Sequence, residues 1–159
     1  FDDGEKCLKH ELEKHPDSIE TLRQLAGVAL KRNDIAASLT YMIQALKIAP
    51  NAPALLFDYA QLCRRARLVT QAIVTMRRLL MIEPDRPEYI QFMGASLLDS
   101  LEDYHKALPY FERYAKMKPD DPAAHLALSW ALVGGSLLQQ NGPMRMQLGA
   151  ITPTLTIRC

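Results

Sequence analysis

Glycine is scarce in this sequence, at seven residues, and aromatics make up only 7%. Scarce glycine beside abundant leucine, alanine and methionine favours helix over turn-rich β-structure. Cysteine is also sparse. Cys7, Cys63 and Cys159 lie far apart, are odd in number and form no CxxC pair. That speaks against a disulfide framework and for a reducing compartment, so a cytoplasmic location is expected. Net charge is small, at +1, so bulk electrostatics point to neither nucleic acid nor a membrane surface as partner. No apolar run approaches the roughly 18 residues that span a bilayer. Phe1-Asp2-Asp3 offers neither a basic start nor an apolar segment, so no signal peptide is read. The first residue is not methionine, and the expectation is a piece of a longer chain.

What is present is apolar and periodic. Hydrophobic residues make up 48% of 159 residues, enough for a real core. Pro16, Pro50, Pro84 and Pro119 are spaced 34, 34 and 35 residues apart. Each closes a similar phrase: "HELEKHP", "QALKIAP", "RLLMIEP" and "RYAKMKP". Proline stops one helix yet is tolerated at or before the first turn of the next. Asp17, Asn51, Asp85 and Asp120 follow these prolines and are expected to cap the next helix.

Between prolines run stripes at i, i+3, i+4 and i+7, the pattern of an amphipathic helix. They are Leu22, Leu25, Ala26, Ala29; Leu56, Tyr59, Ala60, Cys63; and Ile90, Met93, Gly94, Leu97. Ala26, Ala60 and Gly94 mark where a neighbouring helix can approach closely. Turns are expected near Asn33-Asp34, Arg67-Leu68 and Glu102-Asp103. Second helices follow, with Leu39, Met42, Ala45, Ile48; Ile73, Met76, Leu79, Ile82; and Leu108, Phe111, Tyr114, Met117. Pro109 either sits in the first turns of its helix or kinks it.

This 34-residue helix-turn-helix unit resembles the tetratricopeptide repeat (TPR) family. The resemblance covers about 138 of the 159 residues. It implies an all-α fold, with TPR repeats stacked as a right-handed superhelical α-solenoid. Three full repeats are read at 17–50, 51–84 and 85–119, the third with one extra residue near Ser100-Leu101. Residues 1–16 read as the second helix of a preceding repeat. Residues 120–138 read as a further first helix or a capping helix. Residues 139–159, with Pro143 and Pro153, break the pattern and read as an irregular tail.

No HExxH, GxxxxGK[ST], GxGxxG or GxSxG motif occurs, and no catalytic residue or cofactor is expected. Cys7 and His10 share a helix face, but no third metal ligand accompanies them, so no metal site is expected. His105 and His125 are isolated and suit structural roles. The family resemblance implies instead a groove lined by first helices. Carried over position by position, it contains Glu20, Arg23, Gln24, Gly27 and Leu30. Then come Ala54, Phe57, Asp58, Gln61 and Arg64; next Glu88, Gln91, Phe92, Ala95 and Asp99; and last Leu126, Ala127 and Trp130. Phe57, Phe92 and Trp130 would form an aromatic line along it, suited to anchoring a peptide. The same rings equally suit plain helix packing.

One TPR subclass grips the C-terminal carboxylate of heat-shock chaperones with Lys, Asn and Arg. Those positions here hold Arg23, Gly27, Asp58, Glu88 and Phe92, and two acids would repel a carboxylate. Chaperone-tail binding is therefore not expected. A separate feature is a basic patch of Arg64, Arg65, Arg67, Arg77 and Arg78, with no acid between Asp58 and Glu83. Arginine binds carboxylate or phosphate bidentately, so the patch suits an acidic segment, or else is a solvated face. The functional expectation is a non-catalytic scaffold for a protein or peptide partner. The alternative is the TPR arm of a larger sulfotransferase-type or glycosyltransferase-type enzyme. Nucleic acid is disfavoured by the charge balance.

Overall fold

The computed structural model of the chain describes residues 2–100 and 104–136. Helices run through them as α1 (Asp2–Lys14), α2 (Ile19–Lys31), α3 (Ile35–Ile48) and α4 (Pro53–Arg65). They continue as α5 (Val69–Ile82), α6 (Pro87–Asp99), α7 (Tyr104–Met117) and α8 (residues 122–136). No strand occurs among the described residues. The pairs α2–α3, α4–α5 and α6–α7 pack most closely, and α3–α4 and α5–α6 join pair to pair. The turn expected at Glu102-Asp103 and the tail 139–159 lie outside the described residues.

The first two turns close without glycine. Asn33 and Arg67 sit at φ 61° and 62°, in left-handed backbone. The Asp34 amide donates to the Ala29 carbonyl at 2.9 Å, and the Asn33 amide to Leu30 at 3.0 Å. Leu68 and Arg67 repeat this to Cys63 and Arg64 at 2.8 and 3.1 Å. These paired bonds satisfy the last helical carbonyls, which is how a left-handed residue ends a helix.

The helix starts differ from expectation by one residue. Ser18, not Asp17, caps α2, accepting from the Thr21 amide at 3.3 Å. Pro53 and Pro87 occupy the first turns of α4 and α6, so Ala52 and Arg86 become the cap residues, without side-chain caps. Asp121 rather than Asp120 accepts from the Ala123 amide at 2.9 Å. Asn51 and Asp85 do other work. Arg78 of α5 donates to Asn51, and Arg113 of α7 donates to Asp85. Asn51 and Asp85 therefore tie their turns to the second helix of the following pair. Pro109 lies inside α7, past its first turn, and removes one helical hydrogen bond.

The stripes form the core. Leu22, Leu25, Leu56, Ile90, Met93, Leu97, Met76, Leu79 and Phe111 are buried. Ile48 and Ile82, the last members of their stripes, are exposed at the helix ends. Ser38 is buried where the other pairs hold Ala72 and Ala107. Its hydroxyl donates to the Ala26 carbonyl at 2.8 Å, so burial leaves it satisfied.

Cys63 is fully buried and Cys7 exposed, both as free thiols. Burial pushes the Cys63 thiol up, against a smaller opposing effect of its hydrogen bond to Tyr59. Burial, with Cys63 adding, also pushes the neighbouring Tyr59 hydroxyl up to about 12. The nucleophile is the thiolate, so Cys63 should be inert in the folded chain. In a Cys159→Ser variant at pH 8, a thiol reagent should label Cys7 at once and Cys63 only after urea is added. Two fast-reacting thiols in the native variant would contradict this packing.

Candidate functional site

The first helices α2, α4 and α6 turn one face outward, and most of the expected groove residues fall along it. Two clefts open there. One, of about 350 Å³, is lined by Glu20, Arg23, Gln24, Gly27, Asp58, Gln61 and Arg65 among others. The second, of about 600 Å³, includes Asn33, Gln61, Arg64, Arg65, Arg67, Phe92 and Asp99. Gln61 and Arg65 line both, so the two clefts adjoin along α4, one towards α2 and the other towards α6. Nothing lies within 4 Å of where a Cβ on Gly27 would stand, so the groove floor is open there.

Ion pairs lace this face at the repeat spacing. Arg23 donates to the Asp58 carboxylate through Nη2 at 2.9 Å and Nε at 3.2 Å. Arg64 Nε donates to Asp99. Both pairs join residues 35 apart and link α2 to α4 and α4 to α6. They are too solvated to add more than about 1 kcal/mol each. Their role is to hold neighbouring first helices in register. Sequence reasoning missed them because it treated the charges singly; opposite charges one repeat-length plus one apart were the available signal. Asp58 is therefore not the bare repulsive charge expected: Arg23 neutralises it. Gln24 donates to Glu20 at 3.1 Å, and Gln91 is half-buried on α6.

The aromatic residues are partly brought together. Phe57 and Phe92 meet edge to face at 5.5 Å between ring centres. Tyr89, which sequence reasoning passed over, lies 4.8 Å from Phe57. The Arg64 guanidinium sits 5.4 Å over the Phe92 ring. Both phenylalanines are partly buried against the core, so they pad packing and still border the groove. Trp130 is 67% exposed on α8 and stands outside this cluster.

The basic patch is split. Arg64, Arg65 and Arg67 border the larger cleft at one end of the α4–α5 pair. Arg77 and Arg78 lie towards the opposite end of α5, where Arg78 reaches Asn51 at the start of α4. Antiparallel helices bring the residues flanking a turn together and carry those ten further along about 15 Å away. Among the described residues, no group of three or more His, Cys, Asp or Glu side chains is placed to hold a metal ion. No helix among them is long and apolar enough to cross a membrane.

An open stack of antiparallel helix pairs with a groove along its first helices defines an α-solenoid repeat protein. Two family models, both described as tetratricopeptide repeat, match residues 29–95 and 92–140. The chain belongs to the TPR family, and its fold is a right-handed superhelical α-solenoid. No curated protein matches it by sequence. Among solved structures, MamA is similar with a TM-score of 0.76 and 18% identity, over 86% of this chain and 80% of that one. YrrB, described as a TPR protein with an unusual peptide-binding site, gives 0.68 and 16%, over 84% and 68%. The first TPR domain of Spaghetti (RPAP3), bound to the HSP90 peptide SRMEEVD, gives 0.66 and 14%, over 74% and 93%. At these identities the likeness speaks for the fold alone.

Proposed function

We propose that the chain is a non-catalytic interaction scaffold that binds a peptide segment of a partner protein along the concave face of α2, α4 and α6. The observation that carries this reading is the pair of adjoining clefts that share Gln61 and Arg65 along α4. Glu20, Gln24 and Gln61 offer donors and acceptors to a peptide backbone. Phe57 and Phe92 offer an apolar edge. Two of the similar structures are described by their peptide sites, which supports the reading by analogy.

A chaperone-type C-terminal carboxylate is not the ligand in this reading. Arg23 and Arg64 are already engaged by Asp58 and Asp99, and Glu88 adds a negative charge. No cofactor is required. A free buried Cys63 suits a reducing compartment such as the cytoplasm.

The test is a peptide-display selection on the immobilised full chain, followed by affinity measurement of the selected peptides. Gly27→Leu puts an apolar side chain into the open groove floor, where an added Cβ meets nothing within 4 Å. It should weaken their binding at least tenfold while circular dichroism stays unchanged. Selected peptides that bind Gly27→Leu as well as the parent chain would overturn the groove reading.

A further inference from the structure

The convex side of the stack carries a second cleft with a different chemistry. Between α3 and α5 lies a cavity of about 330 Å³ lined by Ile43, Leu46, Pro50, Leu56, Tyr59 and Val74, with Lys47 and Arg78 among its borders. Ile43 is 42% exposed and Val74 54% exposed, so its apolar walls are open to solvent. Ile48, Met81 and Ile82, also on α3 and α5, are exposed as well.

Charge on these helices has one sign. α3 and α5 contain Lys47, Arg77 and Arg78 and no acidic residue. The following pair shows that this is a local choice and not a feature of the repeat. There α7 carries Glu112 in the position of Arg77. Arg113, in the position of Arg78, meets the carboxylate of Asp85. Arg78 meets the neutral amide of Asn51 instead, and no carboxylate among the described residues pairs with it.

We infer that the convex cleft between α3 and α5 docks an acidic segment of a partner protein, with one large apolar side chain in the cavity and carboxylates on Lys47, Arg77 and Arg78. Charge complementarity selects this occupant. Arginine pairs carboxylates bidentately, and the apolar cavity supplies the anchor. A bilayer fits less well, since three cations attract it weakly and a flat surface cannot enter a concave cleft. Nor do residues 137–159 of this chain supply the complement: they include Arg145 and Arg158 and no acid. The inference concerns the face opposite the peptide groove and does not rest on that reading.

The test uses the full chain and an array of twelve-residue peptides, each with glutamate and aspartate around one central leucine, phenylalanine or methionine. Members of the array should bind the parent chain, and binding should weaken as salt rises from 50 to 300 mM. The exposed-site variant Lys47→Gln/Arg77→Gln/Arg78→Gln should weaken binding at least tenfold. Val74→Asp should do the same, because it places a carboxylate in the apolar wall that repels an acidic peptide. Gly27→Leu should leave it unchanged. Circular dichroism verifies the fold of each variant, and Arg77→Gln alone keeps the test open if the triple variant unfolds. The inference is overturned if no member of the array binds, or if binding survives the triple variant. It is equally overturned if binding falls with Gly27→Leu, or if vesicles of phosphatidylserine and phosphatidylcholine bind while the peptides do not.

Discussion

Gly94→Ala should destabilise the chain by up to about 2 kcal/mol, although alanine is the better helix former. A methyl group at Gly94 would stand 2.9–3.1 Å from three carbons of the Phe111 ring. That ring is 2% exposed and packed within a core cluster. Overpacking of this kind costs about 1–3 kcal/mol, and the propensity gain of about 1 kcal/mol offsets only part of it. The other pairs show the alternative solution. Ala26 and Ala60 stand in the position of Gly94, and Met42 and Met76 in that of Phe111, all four buried.

Gly94→Ala with Phe111→Met rebuilds the combination already used twice, so it should recover most of the loss. The double variant should be more stable in urea than the summed single effects predict. Gly27→Ala is the control. With nothing within 4 Å, it should gain about 0.5–1 kcal/mol. A Gly94→Ala protein as stable as its parent would show that the ring yields.

Leu79→Ala should cost about 2–5 kcal/mol. Leu79 is fully buried in α5, in a cluster with Leu56, Met76, Tyr89 and Phe111. That cluster joins the second and third pairs, so the cavity would weaken a boundary between repeats as well as the repeat itself. Met81, two residues further along, is 86% exposed, and Met81→Ala should fall within about 0.5 kcal/mol of the parent. Equal effects in urea unfolding would mean that α5 presents a different face to the core.

Much of this architecture was legible before any coordinate. The spacing of Pro16, Pro50, Pro84 and Pro119 marks the repeat, and the i, i+3, i+4, i+7 stripes mark the faces that α2 to α7 bury. These are local rules: proline cannot continue a helix, and an apolar stripe must be covered. The caps were less legible. Which of two adjacent polar residues caps α2 or α8 depends on backbone angles, and Pro53 and Pro87 moved the starts of α4 and α6.

The candidate site was legible in its positions and not in its pairings. Arg23, Asp58, Arg64 and Asp99 all stand out along the sequence. That they neutralise one another depends on how far α2, α4 and α6 rotate from pair to pair. The same holds for the arginines of α4 and α5, contiguous in sequence and divided by an antiparallel fold.

The sequence by itself determined the helices, their pairing and the repeat, because period and proline act within one or two turns of chain. Only the tertiary structure decided which charges meet, that Gly94 must stay small beneath Phe111, and that α3 and α5 leave an acid-free apolar cleft on the convex side. Those outcomes depend on contacts between residues far apart in the chain, set by packing angle and distance that no local pattern encodes.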